Sequence, residues 1–589
     1  MLNHLVEYAK RLEDVEPGFK PKMVRWAAVF SESGEFLDVV EMGNVGAKKN
    51  PGRAFAKCPD LAQAELVGGN SPRCHFLIET AEVVALLYDK KTLERSGGTE
   101  KILGKHAFFI ECLKAAERDL PVLEGITRFL ATESDLSQLC VCLTEHKAAP
   151  SDKVTFQLGI GGPFVVESDA WHEWWRTFRG TLSTSKRSSS RGTTPCLVTG
   201  VSVEPAATHP KIEGLSDVGG SGVGTVLVGF DKDAFTSYGL EQSANAPMSE
   251  ETANAYRAAL NHLLKHQSRT LAGAKVVHWF KDKLAVEDDP LAWLVESEKQ
   301  VERDANRRAA EMLSALRSGK RPDLAENRYF AMTLSGAGGR VMVRDWMEGS
   351  FEELVSNVNA WFDDLAIVHR EGGRLAPEPK FLAVLGATVR ELKDLPPPFV
   401  ASMWRAAVRG GPFPQNALAL ALRRTVISII GDDVPNHAGM GLMKAFHFRN
   451  QGGSNMSDLK PMLNEGHPAP AYHCGRLMAV LAAIQRAALG DVGAGVVQRY
   501  YAAASTTPAL VLGRLVRTAQ FHLGKLDAPG LVYWYEEKLS SVWGRIGDAP
   551  PRTLGLEEQS LFALGYYQQL ADLRTKKPDE PAKKEEAHA

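Results

Sequence analysis

The feature that most constrains the fold is a change of character at Leu395-Pro396-Pro397-Pro398. Before it, hydrophobic alternation and turn residues mix with amphipathic stretches. After it, strand signals nearly vanish, and helix-period stretches remain between Gly and Pro punctuation. Consecutive prolines end a regular element, because each lacks an N–H and disfavours helix in the residue before it. The chain therefore reads as α+β: a mixed α/β N-terminal region with antiparallel hairpins, followed by an all-α C-terminal helical bundle. The expected limits are 1–395 for the mixed region, with two possible subdomains at about 1–180 and 190–395. The bundle is expected over 396–577 and a disordered tail over 578–589. No internal repeat is visible.

Local patterns fill in this outline. Leu2, Leu5, Val6 and Ala9 recur with helical spacing over residues 2–12. Val24, Trp26, Ala28 and Phe30 alternate, and the turn that follows contains Gly34, which predicts a β-hairpin. Residues 43–75, rich in Gly, Asn, Pro and Lys/Arg, read as long loops. Residues 105–118 read as a helix and 152–166 as a strand pair. The Ser-rich basic segment 184–194 reads as mobile. Strand and turn signals dominate 196–230, and Ser249 opens a helix over 249–266. A charged helix is expected over 290–318. A hairpin around Gly336–Gly339 and a helix over 351–366 follow. In the bundle, Leu477, Val480, Leu481, Ile484 and Ala488 form one apolar stripe. Leu512, Leu515, Val516, Ala519 and Leu523 form another, opened by Thr507-Pro508, and a last helix spans about 556–573.

Cysteine and membrane signals are negative. Seven scattered cysteines without a C-x-x-C pair read as reduced thiols. Cys140 and Cys142 are expected on one face of a buried strand. The N-terminus carries charges where a signal peptide needs an apolar core, and no run of about 18 apolar residues exists. A soluble, intracellular protein is expected.

Enzyme motifs fail one by one. In Gly219-Gly220-Ser221-Gly222-Val223-Gly224, a nucleophile elbow needs Gly where Val223 stands. A dinucleotide fingerprint starting at Gly220 needs Gly where Thr225 stands. What remains is a loop in which backbone meets a ligand or another backbone. His262 and His266 lack the glutamate of a metalloprotease helix. Asp363-Asp364 and Asp432-Asp433 read as helix-end charge. No catalytic residue, metal ligand or cofactor is expected.

Basic loops are the better lead. Lys48, Lys49, Asn50, Arg53 and Lys57 precede Asn70, Ser71, Arg73 and His75. Lys and Arg neutralise phosphates, and Asn and Ser donate and accept at base edges. Lys186, Arg187 and Arg191 form a second patch. The near-neutral total, 69 Lys/Arg against 71 Asp/Glu, is an average over unlike parts. Residues 411–577 hold 17 Lys/Arg and 12 Asp/Glu, and residues 1–410 are net −5. Arg514 and Arg517 lie one turn apart off the apolar stripe, near Lys525, and Arg476 and Arg486 sit similarly on the preceding helix. A bundle with such a face suits a single nucleic-acid strand.

Several stretches resemble the large subunit of the type I-C CRISPR interference complex (Cascade). The longest is 196–264, from CLVTGVSVEP through GGSGVG and EQSANAP to NHLL. Others are YFAMTLSGAGGRVMVRDWMEGSFEEL (329–354), PAYHCGRLMAVLAAIQRAALG (470–490), ASTTPALVLGRLVRTAQFHLGKL (504–526) and LGLEEQSLFALGYYQQLADLRTKK (554–577). Weaker similarity covers 70–87 and the start of the chain.

The resemblance implies a non-catalytic, cytoplasmic prokaryotic subunit. It would recognise the protospacer-adjacent motif in duplex DNA, promote opening there, hold the displaced strand and recruit the helicase–nuclease. Its partners would be the guide-RNA-loaded complex, with backbone subunits, an RNA-end-capping subunit and small helical subunits, together with target DNA and no membrane. Within the implied regions, chemistry selects Lys48, Lys49, Asn50, Arg53, Asn70, Ser71 and Arg73 for motif or backbone contact. It also selects Gly219, Gly220, Ser221 and Gly222 for close approach, and Gln242, Ser243 and Asn245 for base edges or wedging. Lys186, Arg187, Arg191, Arg476, Arg486, Arg514, Arg517 and Lys525 are selected for the displaced strand. One departure stands out: Arg73-Cys74-His75-Phe76 occupies the place where Lys-Pro-Asn-Phe is expected. The resemblance further implies a small subunit made by internal translation, here from Met456 or Met462, giving 134 or 128 residues. The alternatives are a hydrolase or nuclease with an unrecognised site, or a scaffold that binds only protein.

Overall fold

A computed structural model of the chain describes all residues except 13–14, 46–49, 63–64, 67–71, 95–96, 185–192, 296–304, 432, 434, 451–458 and 576–589. Two compact units emerge. The first comprises Met1–Ser216, Ser221–Lys265 and Gly339–Val341; the second comprises Asp217–Gly220, His266–Gly338 and Met342–Ala589.

In the first unit, helix α1 (Leu2–Ala9) buries Leu5, Tyr8 and Ala9. Strands β1 (Phe19–Val24), β2 (Trp26–Phe30), β3 (Phe36–Glu41), β4 (Arg53–Pro59) and β5 (Glu79–Thr80) follow. The expected hairpin is β2–β3, but β2 is buried at every residue rather than on one face. The reason is its other neighbour. Helices α2 (Gly98–Ala116), α3 (Leu123–Ala131) and α4 (Glu133–Glu145) lead to β6 (Lys153–Leu158), which pairs with β2 in parallel. A parallel pair needs such a crossover, and the crossover covers the sheet. Phe109, Leu113, Ile126 and Leu139 accordingly share a core with Ala28, Phe30 and Phe156. The sheet order is β3-β2-β6-β5, which leaves β3 at an edge.

Four expectations are corrected here. Residues 43–75 are not all loop: β4 pairs antiparallel with β1, burying Phe55 and Cys58 while Arg53 faces solvent. Cys140 and Cys142 lie on α4, not on a strand. Leu136, Leu139 and Leu143 are buried with helical spacing, and residues two apart on a helix point to different sides. The strand pair over 152–166 reduces to β6 and a single bridge, Gln157 to Phe164. Residues 196–230 form only two-residue ladders, because Gly200, Gly214, Gly219 and Gly224 at positive φ break the run. Beyond them, α5 (His172–Thr184) buries Trp175, and α6 (Glu250–His266) starts after Ser249, whose Oγ accepts from Thr252 N–H.

The second unit opens with β7 (Ser268–Leu271) and β8 (Ala274–Phe280). Where one charged helix was expected over 290–318, α7 (Pro290–Val295) and α8 (Ala305–Arg317) are described. The expected hairpin is β9 (Arg328–Ala337) and β10 (Arg340–Ser350), and β8 pairs antiparallel with β9. A capping box between Ser350 and Glu353 starts α9 (Phe351–Leu365). The bundle follows as α10 (Pro397–Arg409), α11 (Gln415–Ile430), α12 (His437–Asn450), α13 (Pro470–Leu489), α14 (Val496–Thr506), α15 (Pro508–Leu523), α16 (Pro529–Ile546) and α17 (Leu556–Arg574).

The bundle is organised around α13, which is buried all round from Ala471 to Leu481 rather than along one stripe. Glycine sets the approach of α17 to it. A Cβ on Gly475 would lie 1.9 Å from the Phe562 carbonyl oxygen, and one on Gly565 would lie 2.0 Å from that of Tyr472. The two backbones touch, so no side chain fits between them. Polar residues at this crossing satisfy one another. Tyr472 Oη donates to Gln568, and Arg476 Nε donates to Gln569 Oε1 at 2.9 Å. Where α12 meets α17, the Ser560 hydroxyl donates to the Glu557 carbonyl, so its Oγ accepts from His447 Nε2–H at 2.6 Å.

Candidate nucleic-acid interface

The loop before β4 is held by its own side chains. Asn50 Oδ1 accepts from the N–H groups of Asn44 (3.1 Å) and Gly52 (3.0 Å). Its Nδ2 donates to Glu41 Oε1 (2.9 Å) and the Met42 carbonyl (2.8 Å). All four hydrogen-bonding positions of the amide are used, which leaves none for a base edge. Asn50 holds this turn through those four bonds. Arg53 is half-exposed, donates to Glu167 at 2.6 Å and lies over the rings of Phe164 and Phe55 at 4.6 and 5.0 Å. Arg73 donates to the Glu65 carbonyl at 3.0 Å. His75 is not a cation: Nδ1 accepts from Leu61 N–H, and burial and the Lys22 charge push its pKa down to about 4. Lys48, Lys49, Asn70, Ser71, Lys186, Arg187 and Arg191 lie outside the described residues.

The glycine cluster is two things. In the second unit, Gly219 and Gly220 rest on the β9 backbone, where a Cβ on Gly336 would come within 2.1 Å of Gly220 N. In the first unit, Ser221 N–H donates to Thr225 Oγ1 at 3.0 Å, and Gly222 faces open space. Of the EQSANAP group, Gln242 is exposed at φ +47, and Asn245 Nδ2 donates to the Gln242 carbonyl. Ser243 is buried, contrary to a role at a base edge.

A residue absent from the sequence expectations stands out beside them. Tyr238 is 99% exposed at φ +60, and Gly239 after it is also left-handed. Two consecutive left-handed residues thrust an aromatic ring into solvent at some conformational cost. In the same unit Phe235 meets Phe230 edge-on, and the Arg340 guanidinium lies over Phe235 at 5.6 Å and pairs with Asp231. The signal was the tripeptide Ser237-Tyr238-Gly239, an aromatic followed by a turn residue in a polar stretch.

In the bundle, Arg476 is contrary to expectation buried, at 1% exposure. Besides Gln569 it donates to Glu465 Oε1 (3.1 Å) and His473 Nδ1 (3.2 Å). Arg486 is exposed, 3.9 Å from Asp491, on a cleft of about 390 Å³ that Trp534, Gln498 and Arg574 also line. Arg514, Arg517 and Lys525 are exposed on α15 and just beyond, and make no ion pair among the described residues. They share a face with Leu510 (78% exposed) and Phe521 (69%). The steps of four, three, four and four residues make one continuous stripe, opposite Leu512, Leu515, Ala519 and Leu523. From Leu510 to Phe521 it runs about 16 Å. Tyr533 on α16 adds a second exposed ring. Phe521 was legible in the sequence as the next member of the Arg514–Arg517 row.

These cations and rings are what a flexible polyanion with flat bases requires. His262 Nδ1 meets Tyr8 Oη at 3.2 Å. Among the described residues no helix is long and apolar enough to cross a membrane. The model of one family, CRISPR-associated protein (Cas_Csd1), matches residues 5–574. No curated protein matches the chain.

Proposed function

Because the chain belongs to the Cas_Csd1 family of CRISPR-associated proteins, we propose that it is the DNA-reading large subunit of a type I-C Cascade. In this reading it is a non-catalytic member of a guide-loaded complex. It recognises the protospacer-adjacent motif, helps open the duplex, holds the displaced strand and recruits the helicase–nuclease. Protein reads the motif and shape, and base pairing reads the sequence. The observation that carries the strand-holding part is the row of exposed Arg514, Arg517 and Lys525, without an ion pair among the described residues, interleaved with exposed Phe521. Arg neutralises phosphates, and an exposed ring stacks on any base.

Motif contact falls to the first unit. Arg53, Arg73, Gln242, Asn245 and Gly222 remain candidates there, with Lys48, Lys49, Asn70 and Ser71. Tyr238 joins them as a wedge, an exposed ring suited to inserting between base steps and unstacking them. Lys186, Arg187, Arg191 and Arg486 are further candidates for the displaced strand. Internal translation from Met456 or Met462 would supply a fragment carrying α13–α17 as the small subunit.

The test is a motif-library binding assay with the guide-loaded complex, with and without this subunit. Motif preference is expected to vanish without it and to weaken for Tyr238→Ala and Arg53→Ala. Preference retained in its absence overturns the function. Preference retained in both variants overturns the site assignment. Mass spectrometry of the purified complex is expected to find the 134- or 128-residue fragment, and a complex lacking it sinks the internal-start reading.

A further inference from the structure

One group of metal-ligating side chains lies outside every site described above. Asp38 is on β3, the exposed edge of the first unit's sheet. Cys142 is on the last turn of α4, and His146 is the residue that caps that helix. On a helix, Cys142 and His146 are one turn apart and face the same way, while Cys140 points elsewhere. The carboxylate, thiol and imidazole ligand atoms all lie within 4.8 Å of one another. The Cys142 Sγ–H points to Asp38 Oδ1 at 3.7 Å.

We propose that Asp38, Cys142 and His146 form a zinc site that clamps α4 to the sheet edge. Bonds of about 2.0–2.3 Å in tetrahedral geometry put ligand atoms roughly 3.3–3.8 Å apart. Small side-chain rotations bring these three to that spacing. One sulfur, one nitrogen and one oxygen suit a borderline-soft divalent ion better than magnesium or calcium, which take oxygen alone. Charge balances: the ion's two positive charges meet one thiolate and one carboxylate. The thiol proton leaves to solvent on binding. Water takes the fourth position, since Asp38 and His146 are exposed and Cys142 is half-buried.

Supporting groups fix the ligands. Asp38 Oδ1 accepts its neighbour's Val39 N–H at 2.7 Å, which sets the carboxylate's rotamer. The His146 ring lies 6.0 Å from the Trp26 ring, centroid to centroid, against the sheet. Such outer contacts orient ligands and raise affinity.

The test uses the untagged full-length protein, stripped with EDTA and titrated with cobalt(II). A stoichiometric near-ultraviolet thiolate-to-cobalt charge-transfer band and visible bands of four-coordinate cobalt are expected, and zinc bleaches them. Cys142→Ser abolishes the charge-transfer band. Asp38→Asn and His146→Ala each weaken cobalt binding by about 10-fold or more. Cys140→Ser leaves it unchanged. Zinc raises the melting temperature of the native chain and not of Cys142→Ser. No bands in the native chain, or bands undiminished in Cys142→Ser or lost in Cys140→Ser, overturn the site. Should Cys142→Ser fail to fold in EDTA, Asp38→Asn decides: cobalt affinity equal to the native chain's overturns it.

Discussion

Arg476 and Arg514 lie in the same bundle, each on a helix rich in apolar residues, yet they have opposite environments. Arg476 is closed in the α13–α17 crossing and held by Gln569, Glu465 and His473. Arg514 stands on the outer face of α15 without an ion-pair partner among the described residues. The first unit repeats the contrast. Arg53 is half-exposed and already pairs with Glu167, and Asn50 is fully committed to its own turn. A charged or polar side chain thus reports function only after its internal partners are counted. Those with a complete set hold the fold. Those without one are available to a polyanion.

The sharpest break of this contrast is at the centre of the bundle. Gly475→Ala or Gly565→Ala places a methyl group against a carbonyl oxygen that sits on a helix backbone. Backbone cannot step aside as a side chain does, so each costs about 3 kcal/mol or more in denaturant unfolding. A normal midpoint in both variants would show that the helices do not touch at this crossing. Next comes Arg476→Ala, expected to cost about 3 kcal/mol, because it leaves buried hydrogen-bonding groups without partners. Any loss of DNA binding in this variant should follow unfolding. Full stability with weakened binding would return Arg476 to the interface.

How much of this was legible in the sequence follows from period and reach. The bundle's helices and the β9–β10 hairpin were legible because their signals are local: apolar spacing, Pro at the first turn, Gly at the tip. The buried girth of α13 was not. A single apolar stripe predicts one covered face. The full burial comes from Gly475 and Gly565, which admit a second backbone and are themselves 90 residues apart in sequence. The same limit governed the site. Spacing put Arg476 and Arg514 in one class, since each sits beside an apolar stripe. Only the position of Glu465 and Gln569 separates them. Phe521 was within reach of helical spacing, whereas the Asp38–Cys142–His146 group needed α4 to be a helix and β3 to lie beside it.

Acid should find the buried side of the contrast. His447 is 1% exposed, its Nε2–H is bonded to Ser560, and Nδ1 has no partner among the described residues; burial pushes its pKa down to about 4 from 6.5. The depressed group is neutral in the folded chain and takes a proton first in the unfolded one. Stability is therefore fully present above pH 6.5 and is lost as pH falls toward 4. The loss reaches about 2 kcal/mol near pH 5 from this group. His437, depressed to about 4 by burial and by His369 and Arg370, adds in the same window. Urea midpoints across this range should fall less steeply for His447→Gln, and an unchanged slope would remove His447 from the account. Asn50→Ala comes next, at about 1 kcal/mol. It should also speed tryptic cleavage of the chain near residue 50. Unchanged stability combined with lost motif preference would make Asn50 a base reader after all.

The smallest effect on stability belongs to the residues with the largest proposed effect on binding. Arg514→Ala with Arg517→Ala removes two exposed cations that pair with no carboxylate among the described residues, so stability should stay within about 0.5 kcal/mol. Binding of the guide-loaded complex to a target with a displaced strand should weaken, and the slope of log affinity against log salt should fall by about 1.4, from about 0.7 per single-strand phosphate released. Phe521→Ala should weaken binding with no change in that slope, since stacking releases no counterion. The pair of slopes separates charge from stacking on one helix face. An unchanged slope in the double variant would mean that the α15 stripe faces protein, and its exposed Leu510 and Phe521 would then be the reason.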